Sequence, residues 1–238
     1  MPAADTDSRI RLLKTSHVSY QHADLEKAKK FFLDFGMTIS EEKQSPTRIY
    51  FQGYGSEPYV YVAYASPDGS NKFLGAAYTV ESREELERAT LLPGASSIEK
   101  LDAPGGGEKV TVPDPIGFSI HLVWGQTEKE VTQPEINPDK RAKPGKEPNV
   151  AHAAFEVHDF DVQHLGHDYL QSKGYKLCWG LGRHVIGSQI FDYWFDTSGF
   201  IVEHYADGDM VNGDTPVQKS LATPAVLSVW GPKLPTTW

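Results

Sequence analysis

The pattern of hydrophobic and polar positions repeats along the chain with a period of about fifty residues. Each repeat starts with a short apolar strand, continues into an amphipathic helix and closes with further strands. The first repeat opens at 16–20, and its helix has Asp24 as the N-cap and stops at Gly36. Strands are then predicted at 37–41, 48–52 and 59–65, the last two of which are rich in Tyr, Val and Ile.

Two further repeats follow the same order of elements. The second opens with a strand at 73–80, continues through a helix at 82–91 and closes with a strand at 118–124. The third runs from 151 to 205 and has a helix over 160–173. The sequence therefore predicts an α+β fold built of repeated βαβββ modules.

A local similarity between the second and third repeats strengthens this reading. The stretch Asp114-Pro-Ile-Gly-Phe-Ser-Ile-His121 aligns with Asp196-Thr-Ser-Gly-Phe-Ile-Val-Glu203. In both, an Asp opens a turn, a Gly can adopt positive φ, and a strand follows. His121 therefore occupies the position that Glu203 holds in the last repeat.

These patterns divide the chain into four parts. Residues 12–126 are predicted to form an N-terminal pair of modules, and 150–210 a single C-terminal module. Between them, 127–149 is polar and rich in proline, which removes backbone donors and indicates a linker. The tail 211–238 contains an apolar stretch at 228–232, for which we expect a place over the pocket or against a partner subunit.

Composition excludes several classes of protein. With 238 residues and a net charge of −9, the chain lacks the basic surface that nucleic acids and anionic membranes attract. Cys178 is the only cysteine, so neither an intrachain disulfide nor a cysteine-based zinc site can form. The first seven residues contain no apolar leader, and no apolar run is long enough to span a membrane. We expect a cytoplasmic protein.

The most informative stretch runs from Gly182-Arg183-His184 through Tyr193 to Glu203. Its spacing resembles the signature of extradiol ring-cleaving dioxygenases, the catechol 2,3-dioxygenase group of the vicinal oxygen chelate superfamily. The resemblance implies the glyoxalase/bleomycin resistance/dioxygenase fold. Such a dioxygenase normally has four modules; here 15–124 matches the first two and 150–210 the last, so one module is missing.

The resemblance also implies a metal centre. In that family a facial set of two histidines and one carboxylate binds non-haem Fe(II), and Mn(II) can use the same ligands. Carried over by position, His152 and Glu203 are two of the ligands. The third could be His17, which opens the first repeat in a similar way, or His121, or a residue of a second chain. Two chains that each supply His152 and Glu203 would form a four-ligand site.

The resemblance gives the other two residues of the motif a catalytic role. His184 would transfer protons near the substrate, and Tyr193 would donate a hydrogen bond to a substrate oxygen. Asp192 departs from the family pattern, and alternation along a strand predicts that it points away from Tyr193. His164 and His167 lie on the predicted helix of the outer layer, where we expect them to face solvent.

Together these features predict an Fe(II)-dependent extradiol dioxygenase that cleaves a catechol-type aromatic ring with dioxygen. A metal-dependent isomerase or lyase of the same superfamily is one alternative. A degenerate protein that only binds small molecules is another. We also expect a homo-oligomer, because an unpaired module would expose a large apolar surface.

Overall fold

The computed structural model of the chain describes residues 9–132, 152–210, 215–217, 223 and 227–235. Most of the predicted linker 127–149 and much of the predicted tail 211–238 lie outside these residues.

Two compact units divide the chain. The N-terminal unit comprises Met1–His22 and Ile39–Thr132, and the C-terminal unit comprises Ala23–Thr38 and Gln133–Trp238. The second unit therefore takes a short early segment of the chain in addition to the last module. That segment contains the first helix.

The N-terminal unit is built on one eight-stranded sheet with the strand order β2-β3-β4-β1-β5-β8-β7-β6. Its strands are β1 (Leu12–His22), β2 (Thr38–Gln44), β3 (Thr47–Gln52), β4 (Tyr61–Ala65), β5 (Lys72–Val80), β6 (Glu99–Lys100), β7 (Glu108–Pro113) and β8 (Ser119–Trp124). The first strands of the two modules, β1 and β5, pair antiparallel at the centre, with His17 opposite Ala77. Each first strand pairs in parallel with the last strand of its own module, β1 with β4 and β5 with β8.

The C-terminal unit contains a four-stranded sheet with the order β10-β11-β12-β9. Its strands are β9 (Ala153–Glu156), β10 (Leu177–Arg183), β11 (Ile190–Phe195) and β12 (Ile201–Ala206). The first strand again pairs in parallel with the last, so this sheet repeats one half of the N-terminal sheet. In the described part of the chain β9 pairs with β12 alone, which leaves β9 at the edge of the sheet.

Three helices complete the described elements: α1 (Leu25–Asp34), α2 (Arg83–Ala89) and α3 (Phe160–Ser172). Each begins after a residue whose side chain accepts a hydrogen bond from the first turn: Asp24, Ser82 and Asp159. The α+β fold with βαβββ modules is thus confirmed.

The placement of α1 differs from the simple repeat. The order of elements along the sequence places this helix in the first module, but it lies in the C-terminal unit. Just after the helix, Phe35 packs with ring centroids 3.9 Å from His204 and 6.0 Å from Phe155. The apolar face of α1 predicts that the helix packs against a sheet. The sequence does not indicate whether that sheet belongs to the N-terminal or to the C-terminal unit.

None of the described helices is both long and apolar enough to cross a bilayer.

Candidate metal centre in the C-terminal unit

Strand pairing in the C-terminal sheet brings two predicted ligands to the same face. Glu203 on β12 lies opposite Ala154 of β9 on one side and Tyr193 of β11 on the other. His152 comes two residues before Ala154 and therefore projects from the same face, because side chains alternate along a strand. Nε2 of His152 lies 3.0 Å from Oε2 of Glu203. The two groups are close enough to bind a single cation.

The burial of Glu203 makes its charge costly without a partner. Glu203 is 1 % exposed, whereas the side chain of His152 is about a third exposed. Oε1 of Glu203 is buried and has no hydrogen-bond partner among the described residues. A buried carboxylate oxygen of this kind is stabilised by a cation or a donor. The donor set, one imidazole nitrogen and one carboxylate, suits a divalent metal such as iron or manganese.

The described residues supply no complete ligand set for that metal. Within them, no group of three or more His, Cys, Asp or Glu side chains is arranged to hold a metal ion. His152 and Glu203 thus form a pair, and the identity of the third ligand stays a prediction. His17 and His121 lie in the N-terminal unit, on β1 and β8.

Beside this pair, the hydroxyl of Tyr193 lies 2.6 Å from Nε2 of His184. Nδ1 of His184 lies 2.7 Å from the carbonyl oxygen of Leu227. Because a carbonyl oxygen can only accept, Nδ1 carries the proton. In the neutral imidazole Nε2 is then the acceptor, and Tyr193 donates its hydroxyl proton to it. The contact between the two predicted catalytic residues is therefore present.

Tyr193 is also coupled to Glu203. Burial raises the pKa of Tyr193 well above its usual range, and the charge of Glu203 and a hydrogen bond to that carboxylate raise it further. The phenol therefore remains protonated at neutral pH. Its single proton can be donated to only one acceptor at a time, the imidazole of His184 or the carboxylate of Glu203.

Asp192 points away from this face, as alternation predicted. It is fully buried, and its Oδ2 lies 2.7 Å from Nδ1 of His167 on α3. The expectation that His167 faces solvent was wrong, since its side chain is 15 % exposed and packs against Trp194. A buried carboxylate one position from Tyr193 needs a donor behind the sheet, and α3 supplies it. His164 is exposed, as expected.

The floor of the site is aromatic. The rings of Trp179 and Tyr193 lie parallel with centroids 5.7 Å apart, and Phe191 packs between them and His184. Trp179 was not singled out from the sequence. Its position on β10, three residues before the predicted motif begins at Gly182, was the only signal in the sequence.

A C-terminal segment, residues 227–235, lies over this floor. Nε1 of Trp179 donates to the carbonyl of Pro232 at 2.8 Å, and Leu227 and Leu234 pack against the aromatic cluster. Backbone hydrogen bonds join Arg183 to Val229 and Trp230 at the edge of β10. The apolar stretch 228–232 thus covers the pocket side of the sheet, one of the two roles expected for it.

A separate cavity of about 490 Å³ in the same unit is lined by residues that include His158, Arg183, Asp207 and Trp230. Neither His152 nor Glu203 contributes to it. The candidate site is therefore identified by the contact between His152 and Glu203 and not by this cavity.

The profile of the Glyoxalase/Bleomycin resistance protein/Dioxygenase superfamily matches residues 14–204. The chain belongs to this superfamily. Among curated proteins it is 36 % identical over 85 residues to Metapyrocatechase 2 of Cupriavidus necator. That match covers 35 % of this chain and spans only 27 % of the relative's length.

Solved structures show the same fold at low sequence identity. The Mn(II)-bound glyoxalase of Novosphingobium aromaticivorans aligns with a TM-score of 0.81 at 20 % identity, over 94 % of this chain and 92 % of that one. Homoprotocatechuate 2,3-dioxygenase of Brevibacterium fuscum, in complex with 3,4-dihydroxyphenylacetate, aligns with a TM-score of 0.79 at 15 % identity, over 95 % and 91 %. Both alignments extend over nearly the whole of the chains compared.

Proposed function

We propose that this protein is a metal-dependent extradiol dioxygenase that opens a catechol-type ring with dioxygen. The observation that carries the proposal is the 3.0 Å contact between His152 and the buried Glu203, on the face that also carries Tyr193. Similarity to Metapyrocatechase 2 and to homoprotocatechuate 2,3-dioxygenase supports the reaction class.

His152 and Glu203 would hold the metal, Fe(II) in the leading proposal and Mn(II) as the alternative. When bound, the ion would supply Lewis acidity and orient the reactants. Glu203 would contribute one negative charge, and its buried Oε1, which has no hydrogen-bond partner among the described residues, would be available to the ion.

Tyr193 and His184 would handle protons on the substrate. A protonated phenol at neutral pH can donate to an oxygen that becomes negative during the reaction. His184, whose Nε2 accepts from Tyr193 in the neutral state, can take up a proton and return it. The carbonyl of Leu227 holds the ring in the tautomer that keeps Nε2 available.

The third ligand could come from a second copy of the chain. In the N-terminal sheet the first strands β1 and β5 pair antiparallel, whereas β9 lies at the edge of its own sheet. An edge strand is a template for pairing with another chain. A homodimer joined through β9 would bring a second His152 and Glu203 to the same centre. His17 and His121 remain the candidates from within the chain.

A four-ligand centre of that kind favours a different reaction. With fewer open positions, the metal would suit an isomerase or lyase that polarises a carbonyl without oxygen. The fold similarity to the Mn(II)-bound glyoxalase supports this second candidate. A protein that has kept the fold and only binds small molecules is the remaining, non-catalytic reading.

An oxygen-electrode assay on anaerobically iron-loaded protein with a panel of catechols tests the proposal. We expect oxygen uptake that depends on the catechol, together with a yellow ring-fission product. Turnover without oxygen would support the isomerase, and absence of both would support binding alone. Metal content and mass in solution, measured on the same sample, would show whether ligands are shared between chains.

A further inference from the structure

The N-terminal sheet holds a second cavity, of about 220 Å³. Its lining combines aromatic, cationic and apolar groups, and the residues that matter here are His17, Tyr50, Tyr59, Tyr64, Lys109 and His121. All of them belong to one unit, so the cavity is complete without the C-terminal module.

Strand register shows that this cavity corresponds to the candidate metal centre. In the parallel pair β5–β8, Ala77 lies opposite His121, just as Ala154 lies opposite Glu203 in β9–β12. Two residues before each alanine stand Gly75 and His152, respectively. The two ligand positions of the C-terminal unit are therefore occupied by glycine and histidine in the N-terminal unit.

Glycine leaves the first of these two positions without a donor atom. A Cβ atom on Gly75 would lie 2.7 Å from Nε2 of His121 and 2.6 Å from the carbonyl of Ser119, so no side chain fits there. Nδ1 of His121 lies 2.9 Å from Oγ1 of Thr111, which fixes the ring in place. The imidazole of His121 thus fills the space of the missing ligand and forms part of the cavity wall.

Lys109 is the cationic group among the residues that line the cavity. Its ammonium nitrogen lies 3.1 Å from Glu99, which is exposed and does not line the cavity. Because an exposed ion pair of this kind is weak, an anion inside the cavity can pair with Lys109 in place of Glu99.

The walls and the size limit the shape of the ligand. Tyr50 and Tyr59 meet edge to face with centroids 4.8 Å apart, and His17 packs on Tyr59 at 4.6 Å. Such rings favour a flat aromatic guest. An engineered cavity of about 150 Å³ holds one benzene molecule, so about 220 Å³ has room for one ring with a small substituent.

We propose that the N-terminal cavity is a metal-independent binding site for a single-ring aromatic anion, such as an aromatic carboxylate. The ring lies among Tyr50, Tyr59 and Tyr64, and the carboxylate faces Lys109. The site stands on residues of the N-terminal unit and does not depend on the proposed reaction.

Calorimetric titration of the full chain with benzoate tests the site, with benzamide as the neutral isostere. We expect saturable binding of benzoate and at least about tenfold weaker binding of benzamide. Lys109→Met should weaken benzoate binding by at least about tenfold. Lys100→Met, on exposed β6 outside the cavity, is the matched control and should leave it unchanged.

A second pair of variants separates the two sites. Tyr64→Phe should weaken benzoate binding, whereas Glu203→Gln should leave the affinity for benzoate unchanged. Thermal melting shows whether each variant is folded. Loss of benzoate binding in Glu203→Gln would place the ligand at the metal centre and overturn the proposal. Equal binding of benzoate and benzamide, or no saturable binding by the folded wild type, would overturn it as well.

Discussion

The hydroxyl of Tyr193 and Nε2 of His184 lie 2.6 Å apart, although the residues stand on β11 and after β10. Replacing Tyr193 with Phe removes the hydroxyl and keeps the ring that stacks on Trp179. Because one positioned donor to a developing negative charge contributes about 10²-fold or more, kcat for ring cleavage should fall by about that factor. Steady-state kinetics on metal-loaded protein measure it.

The control for this change is Tyr205→Phe, which removes a hydroxyl from the same sheet on β12. We expect it to keep most of the activity. A Tyr193→Phe variant as active as the wild type would remove Tyr193 from the proposed mechanism.

Metal binding should depend on the carboxylate of Glu203. Glu203→Gln preserves the shape but removes the charge that attracts a divalent ion, and we expect the metal affinity to fall at least about tenfold. Equilibrium dialysis followed by metal analysis gives the affinity directly. Glu156→Gln, on the neighbouring strand β9, is the matched control. Equal metal content in both variants would show that Glu203 is not a ligand.

The buried pair behind Tyr193 should matter for stability. Asp192→Ala leaves the buried side of His167 without its carboxylate, and breaking such a pair costs about 3 kcal/mol in the free energy of unfolding. Urea unfolding followed by fluorescence measures the loss. Asp161→Ala removes an exposed carboxylate from the first turn of α3 and should cost only a few tenths of a kcal/mol, roughly the helix-dipole effect. A loss below about 1 kcal/mol for Asp192→Ala would mean that His167 finds another partner.

The C-terminal segment 227–235 should loosen when Trp179 is changed to Phe. The change removes the 2.8 Å hydrogen bond from Trp179 to Pro232, which contributes about 1 kcal/mol. The amides of Arg183 and Val229, which bond across this edge, should then exchange hydrogen faster. Trp124→Phe in the N-terminal unit should leave their exchange unchanged. Unaltered protection in Trp179→Phe would show that other contacts hold the segment.

Stability should fall in mild acid because of His22. This residue is fully buried beside Tyr61, and burial lowers its pKa from 6.5 to about 4. Between pH 6.5 and about pH 4, His22 is protonated in the unfolded chain but stays neutral in the folded chain. The free energy of unfolding therefore decreases by up to about 3 kcal/mol as the pH falls through this window, and this contribution is constant above it.

Urea unfolding of the wild type and His22→Gln between pH 7 and pH 4 isolates the effect. The difference in unfolding free energy between the two proteins should change across the window. A constant difference would show that the folded structure does not lower the pKa of His22.

Much of the fold can be predicted from helix-capping residues and from the alternation of side chains along strands. Asp24 and Gly36 bracket α1, and the alternation of residues on β11 predicted that Asp192 and Tyr193 face opposite ways, as they do. The alignment of His121 with Glu203 is matched by equivalent strand registers in the two sheets. These features depend on neighbours in sequence, so the order of residues is enough to specify them.

The sequence by itself determined the modules, the strand that carries Glu203, the place of His152 at the start of the last module, and the motif that joins His184 to Tyr193. Tertiary structure alone decided that α1 lies in the C-terminal unit, that the half-buried His167 contacts Asp192, and that residues 227–235 cover the aromatic floor. Each of these is a contact between segments far apart in the chain. An apolar face or a buried carboxylate requires a partner, but several segments can provide one, and the choice is made by packing the whole chain at once.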